Sequence, residues 1–165
     1  MKLILKSRLF IAAIILTSIF NFSCSTSKQV SSQSTPLQLA QAINDDQWIF
    51  TPTQALPNYG RTKALNGTDI VKLNNHELTV SLPYFGRLTS GSGVFAGNPL
   101  DFTSSNYRLS KDNSDNTKWT VMIESPNPEV RSMLFTFYDN GTAQLTVGMT
   151  NRTGINFTGT LSPVK

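Results

Sequence analysis

Along most of the chain, apolar and polar residues alternate with a period of two. Trp119, Val121 and Ile123 fall on one side of their segment, and Met133, Phe135 and Phe137 on one side of theirs. The sets Ala143, Leu145, Val147 and Ile155, Phe157, Leu161 repeat the pattern. Successive side chains of a strand point to opposite faces, so each set reads as the buried face of an antiparallel strand. The segments are "QWIFTP", "DIVKL", "ELTVSL", "DFTSSNYRLS", "TKWTVMIE", "RSMLFTFYD", "TAQLTVGM" and "INFTGTLS". Turn signals divide several of them: Asn74-Asn75, the polar cluster "KDNSDN", and Asn140-Gly141, the strongest hairpin signal in the chain. The pattern predicts an all-β fold, a single antiparallel meander domain of about eight strands, either a sandwich or a small barrel. One short helix precedes it. In "TPLQLAQAINDD", Thr35 is placed to cap, Pro36 to occupy the first helical position, and Leu37, Ala40 and Ile43 to share a face.

The alternation is absent from the first residues, "MKLILKSRLFIAAIILTSIFNFSC". Lys2, Lys6 and Arg8 precede a largely apolar run from Leu9 to Phe20, too short to span a bilayer and the right size for a signal peptide. Cys24, the single cysteine, follows directly and has no partner for an internal disulfide. Asn21-Phe22-Ser23-Cys24 resembles a bacterial lipobox, with Ser23 as the small residue before the cysteine. This divides the chain into a lipoprotein signal (1–23), a lipidated Ser/Thr/Gln-rich tether (24–35) and the all-β domain (36–165). The resemblance implies attachment to a membrane through Cys24. Ser25 and the lack of an acidic cluster in "STSKQ" resemble the pattern of an outer-membrane lipoprotein that faces the periplasm.

This division changes the charge. The full chain has 14 basic and 10 acidic residues, a net +4, but Lys2, Lys6 and Arg8 lie in the signal segment. Without them 11 basic residues face 10 acidic ones, and no basic stripe remains to bind nucleic acid.

Candidate chemistry is thin. His76, the single histidine, lies beside a turn, and Cys24 is assigned to lipid, so neither a Cys/His dyad nor a zinc site can be assembled. No cofactor is expected. Asp112 and Asp115 suit Asx turns, and "DNSDN" lacks the glycine and terminal glutamate of a calcium loop. "GSGVFAG" has neither phosphate-cradle spacing nor a following helix, and Ser92 lacks the flanks of a nucleophile elbow. A carboxylate-dependent hydrolase of envelope or glycan substrates would need Asp101, Glu124 and Asp139 to meet in one cleft.

"LPYFGRL" (82–88) stands out. Pro83 suits a strand end, Tyr84 and Phe85 must point to opposite faces, and Gly86 permits a bend or a close approach. The stretch reads first as a structural corner. Its functional alternative makes Tyr84, Phe85 and Arg87 ligand-binding residues at the edge of a pocket. Together with "QWIFTPTQALP", "DFTSSNYRL", "NGTAQLTV" and "NRTGINFTGTL", it resembles the DUF4251 family of Bacteroidota lipoproteins from near Leu37 to the C-terminus. That resemblance implies an exported all-β domain and brings no catalytic residues. The expected function is a lipid-anchored cell-envelope protein with a non-enzymatic binding or scaffolding role, for an apolar small molecule, a lipid or an envelope protein. A small transmembrane β-barrel is the remaining alternative.

Overall fold

A strand buries one face, and the described residues form a single sheet, so the sheet covers its own apolar face by curling. The computed structural model describes residues 34–89, 97–115, 117–125 and 127–164. They form one short helix, α1 (Pro36–Asn44), and ten strands: β1 (Trp48–Pro57), β2 (Lys63–Ala64), β3 (Ile70–Asn74), β4 (Glu77–Ser81), β5 (Asp101–Ser104), β6 (Arg108–Asp112), β7 (Lys118–Glu124), β8 (Val130–Tyr138), β9 (Thr142–Met149) and β10 (Ile155–Pro163). All belong to one antiparallel sheet in the order β5-β4-β3-β1-β10-β9-β8-β7-β6, with β2 beside β1. Of the two architectures left open by the sequence, the chain therefore takes the barrel-like one, a curled half-barrel.

Seven of the eight expected segments each supply one strand. "DFTSSNYRLS" supplies two, β5 and β6, which end the strand order on opposite sides of the sheet. Eight antiparallel steps separate them, so both run in the same direction. Only residues 105–107 lie between, and such a link reaches at most roughly 14 Å. The sheet must therefore curl until its two ends are nearly adjacent. A period-two pattern shows this run as one strand, because it does not reveal that the halves pair with different strands: β4 for the first, β7 for the second.

Two bulges shape the curl. In β1 the register skips between Pro52 and Gln54, so buried positions pass from Trp48, Phe50 and Pro52 to Ala55. Pro52, with no N–H to offer, sits at this irregularity, where a central strand tolerates proline. Gly159 faces it, and a β-carbon there would lie 2.6 Å from the Pro52 α-carbon. In β8 a second skip, between Val130 and Ser132, brings Val130 and Met133 to the same face. The turns also follow local chemistry. Asn75 (φ 50°) and His76 (φ 62°) form the two-residue turn between β3 and β4, one position later than expected.

The interior is filled with rings. Trp48, Phe50, Phe135, Phe137 and Phe157 are fully buried. Trp48 meets Phe135 and Phe137 edge-on, with centroids 5.1 Å apart in each case. Such pairs add about 0.5–1.5 kcal/mol beyond burial. Outward positions are mainly polar, as in β9 (Thr142, Gln144, Thr146) and β10 (Asn156, Thr158, Thr160, Ser162). A transmembrane barrel carries the reverse polarity, apolar outside, so this fold does not favour that alternative.

α1 covers one end of the curl. Thr35 accepts from the Gln38 backbone N–H, and the Gln38 side chain accepts from the Thr35 N–H, a complete capping box. The buried face is Leu39, Ala42 and Ile43, not Leu37, Ala40 and Ile43; Leu37 is 79% exposed. The helix is turned so that Leu39 packs on Gly141, a tertiary contact that the helical period does not encode. Asp46 (φ 56°) ends the helix, with Gln47 N–H bonded to Ala42 O. Lys111 of β6 donates to Ile43 O, Asn44 O and Asp46 Oδ1 (3.1, 2.8 and 2.9 Å), fixing a cation on the negative end of the helix.

Two predictions follow from this packing. Gly159→Ala forces the β1 bulge apart and should lower unfolding free energy by about 1–3 kcal/mol in denaturant titrations, without shifting the slope. Burial, with the Asp46 carboxylate nearby, raises the Tyr107 hydroxyl pKa above its ordinary value of 10.0. The folded state thus favours neutral Tyr107. Its contribution is complete below about pH 10 and is lost as pH rises through the folded pKa. Wild type should lose more stability than Tyr107→Phe as pH rises above about 10.

Candidate functional site

The end of the curl opposite α1 carries the loops that contain the residues singled out in "LPYFGRL". Leu82 is buried, and its N–H bonds to Leu100 O (2.9 Å). Beyond it, residues 83–89 run as a strap along the β9–β10 connection. Thr153 N–H donates to Arg87 O (2.9 Å), Thr89 N–H donates to Asn151 O (3.0 Å), and Leu88 bridges Arg152.

Tyr84 fastens the strap. Its hydroxyl donates to Thr153 O at 2.7 Å, and Arg87 N–H donates to Thr153 Oγ1 at 3.0 Å. The phenol reaches Thr153 by lying over Gly86, where a β-carbon would collide with the Tyr84 hydroxyl and stand 2.6 Å from Thr153 Oγ1. The Arg152 guanidinium covers the Tyr84 ring at 5.4 Å, and its Nε donates to Glu129 Oε2 at 2.7 Å. The Arg152 and Glu129 side chains retain 11% and 25% of their exposure, so solvent screens this pair little.

Phe85 and Arg87 point elsewhere. Lys63 Nζ sits 4.9 Å above the half-buried Phe85 ring, and the exposed Arg87 guanidinium lies 5.9 Å from the Tyr59 ring. The contacts interlock two segments, because Tyr59 and Lys63 belong to the β1–β2 region and Phe85 and Arg87 to the strap. Tyr59 is 62% exposed and Leu88 47%. Among the described residues, Lys63, Arg61 and Arg87 form none of the four carboxylate ion pairs. The three expected residues thus share one corner but divide its work: Tyr84 ties the backbone, while Phe85 and Arg87 join a cation–aromatic surface.

Period-two reading missed Tyr59, Lys63, Arg152, Glu129 and Thr153. "YGRTK" (59–63) and "NRT" (151–153) read as polar turns, and their aromatic and cationic residues acquire meaning only when the strap brings them together.

The other candidates separate. Glu124 pairs with Arg108 at the exposed end of the β6–β7 ladder (3.4 Å). Asp101 opens β5, and Asp139 occupies the β8–β9 turn. Lys118, next to that turn, is six residues along β7 from Glu124, about 20 Å, so Asp139 and Glu124 share no cleft. Among the described residues no three His, Cys, Asp or Glu side chains group as metal ligands. Asp112 and Asp115 accept from backbone N–H groups two residues on, as Asx turns. His76 is exposed in its turn. Cys24, the signal and most of the tether, along with Gly91, Ser92 and Gly93, lie outside the described residues. An open groove of about 810 Å³ runs beside α1 past Gln38, Gln41, Ile49 and Lys72, and a smaller one of about 280 Å³ lies between α1, Trp119 and Tyr138.

The family model described as "Domain of unknown function (DUF4251)" matches residues 31–161. The chain belongs to the DUF4251 family. Its fold resembles the crystal structure of a DUF4251 family protein from Bacteroides eggerthii DSM 20697, at 16% identity and a TM-score of 0.51, covering 78% of this chain and 87% of that one. At that identity the likeness speaks for the fold. No curated protein matches the chain.

If Tyr84 is the fastener, Tyr84→Phe should cost about 0.5–1.5 kcal/mol of unfolding free energy through loss of one hydrogen bond. Gly86→Ala should cost more, since it displaces the ring as well as the bond. Equilibrium denaturation of the two variants checks that ranking.

Proposed function

We propose that this DUF4251 protein is a lipid-anchored cell-envelope protein whose half-barrel is a non-catalytic binding module, with the cation–aromatic corner as its contact surface. The supporting observation is the pair of stacks Lys63–Phe85 and Arg87–Tyr59, displayed on the end away from α1. The chain enters the described domain at Ser34, beside α1. A lipid anchor at Cys24 would thus precede the helix end of the domain in the chain, and the corner lies at the other end. The interior is an unattractive site for an apolar ligand, because the rings of Trp48, Phe50, Phe135, Phe137 and Phe157 already fill it.

Photo-crosslinking in intact envelopes tests this reading. A photoreactive residue at Tyr59 or Arg87 should yield a discrete adduct, and one at His76, on the helix end, should not. Equal labelling from both ends, or none from the corner, overturns the proposal. Metabolic labelling with a fatty acid, lost in Cys24→Ala, checks the anchor separately.

A further inference from the structure

We infer that the partner bound at this corner is a protein that presents an extended acidic segment. The inference rests on the proposed role of the corner and specifies its chemistry.

Two features point to an anionic occupant. Arg61, Lys63 and Arg87 are exposed cations outside the carboxylate ion pairs formed among the described residues, whereas Arg152, set deeper, has Glu129. Unpaired like charges repel and gain by acquiring a counter-charge. Two of the three are also held in place. Stacking on Phe85 and Tyr59 limits the freedom of Lys63 and Arg87, so less side-chain entropy is lost when a carboxylate docks. A guanidinium placed beside a ring still has N–H donors to offer a carboxylate.

Other features favour a peptide over a lipid surface or an acidic glycan. Tyr59 and Leu88 add exposed apolar area beside the cations, and Tyr and Arg dominate the anchors of protein interfaces. The strap itself is extended and bonds to the β9–β10 connection through Arg87 O and Thr89 N–H. An extended segment laid along it meets side chains in the alternating order that a peptide backbone presents. Phe85 and Tyr59 each have a cation over the ring, which leaves less aromatic face for stacking on sugars.

Fluorescence anisotropy on the full-length protein in detergent tests the inference. The probe is a labelled ten-residue peptide in which Glu alternates with Ala, compared with its Gln–Ala counterpart. The Glu peptide should bind at least tenfold more tightly, and the double variant Lys63→Ala/Arg87→Ala should abolish that difference. Tyr59→Ala removes no charge but releases Arg87, and should weaken binding several-fold. Lys72→Ala, a cation beside the helix-end groove, should leave binding unchanged. Circular dichroism checks that each variant stays folded, and Arg87→Lys provides a milder substitution if the double variant does not. Equal affinity for the two peptides overturns the inference, as does an Lys72→Ala effect equal to that of Arg87→Ala, which would mean attraction to net charge alone. So does tighter binding to phosphatidylglycerol vesicles or to polygalacturonate than to the Glu peptide. Corner-specific crosslinks in envelopes, alongside failure of the peptide, would leave the binding role standing and remove only the acidic-peptide partner.

Discussion

A single sheet with one apolar face, and no second sheet among the described residues to pack against, must bury that face on itself, and most of this structure follows from that constraint. Curling brings Trp48 and Phe50 of β1 against Phe135 and Phe137 of β8, two strands that are not neighbours in the sheet. Contacts across the inside of the curl replace those a second sheet would supply. The N-terminal and C-terminal strands, β1 and β10, pair along nearly their whole length, so the terminal parts of the domain form its centre.

The curl also sets where function can reside. Large rings occupy the inside, the strand exteriors are polar, and the two ends are left to loops and to α1. At one end the helix is locked by its capping box and by Lys111, which reaches from β6 to the last helical carbonyls. At the other, the strap is fastened by Tyr84 to Thr153, and that fastening places Arg87 and Phe85 opposite Tyr59 and Lys63. The structural role of "LPYFGRL" and the recognition role proposed for it are therefore coupled. The same segment that ties the loops together displays the charges, which accounts for two adjacent aromatics with different jobs.

Alternation made the strand inventory legible, since period two survives in any strand with one buried face. Trp119 lies on the inner face as expected, half-buried beside fully buried Val121 and Ile123. The Asn140-Gly141 signal holds as well, with Gly141 at φ 81° in the turn between β8 and β9. The helix start was equally readable, because capping depends on residues three apart. Its buried face was not, since two sets of apolar positions were compatible with the period and only the sheet chose between them.

The sequence by itself determined most of the strand segments, the inner faces of four of them, the capped start of the helix and the Asn140-Gly141 turn, because all of these depend on neighbours within a few residues. Only the tertiary structure decided that the strands form one sheet instead of two, that 101–112 divides between its two ends, and that Lys63, Tyr59 and Arg152 join Tyr84, Phe85 and Arg87 at one corner. Those outcomes depend on pairings between residues tens of positions apart. Their strength comes from ring packing and hydrogen bonds that no local pattern encodes.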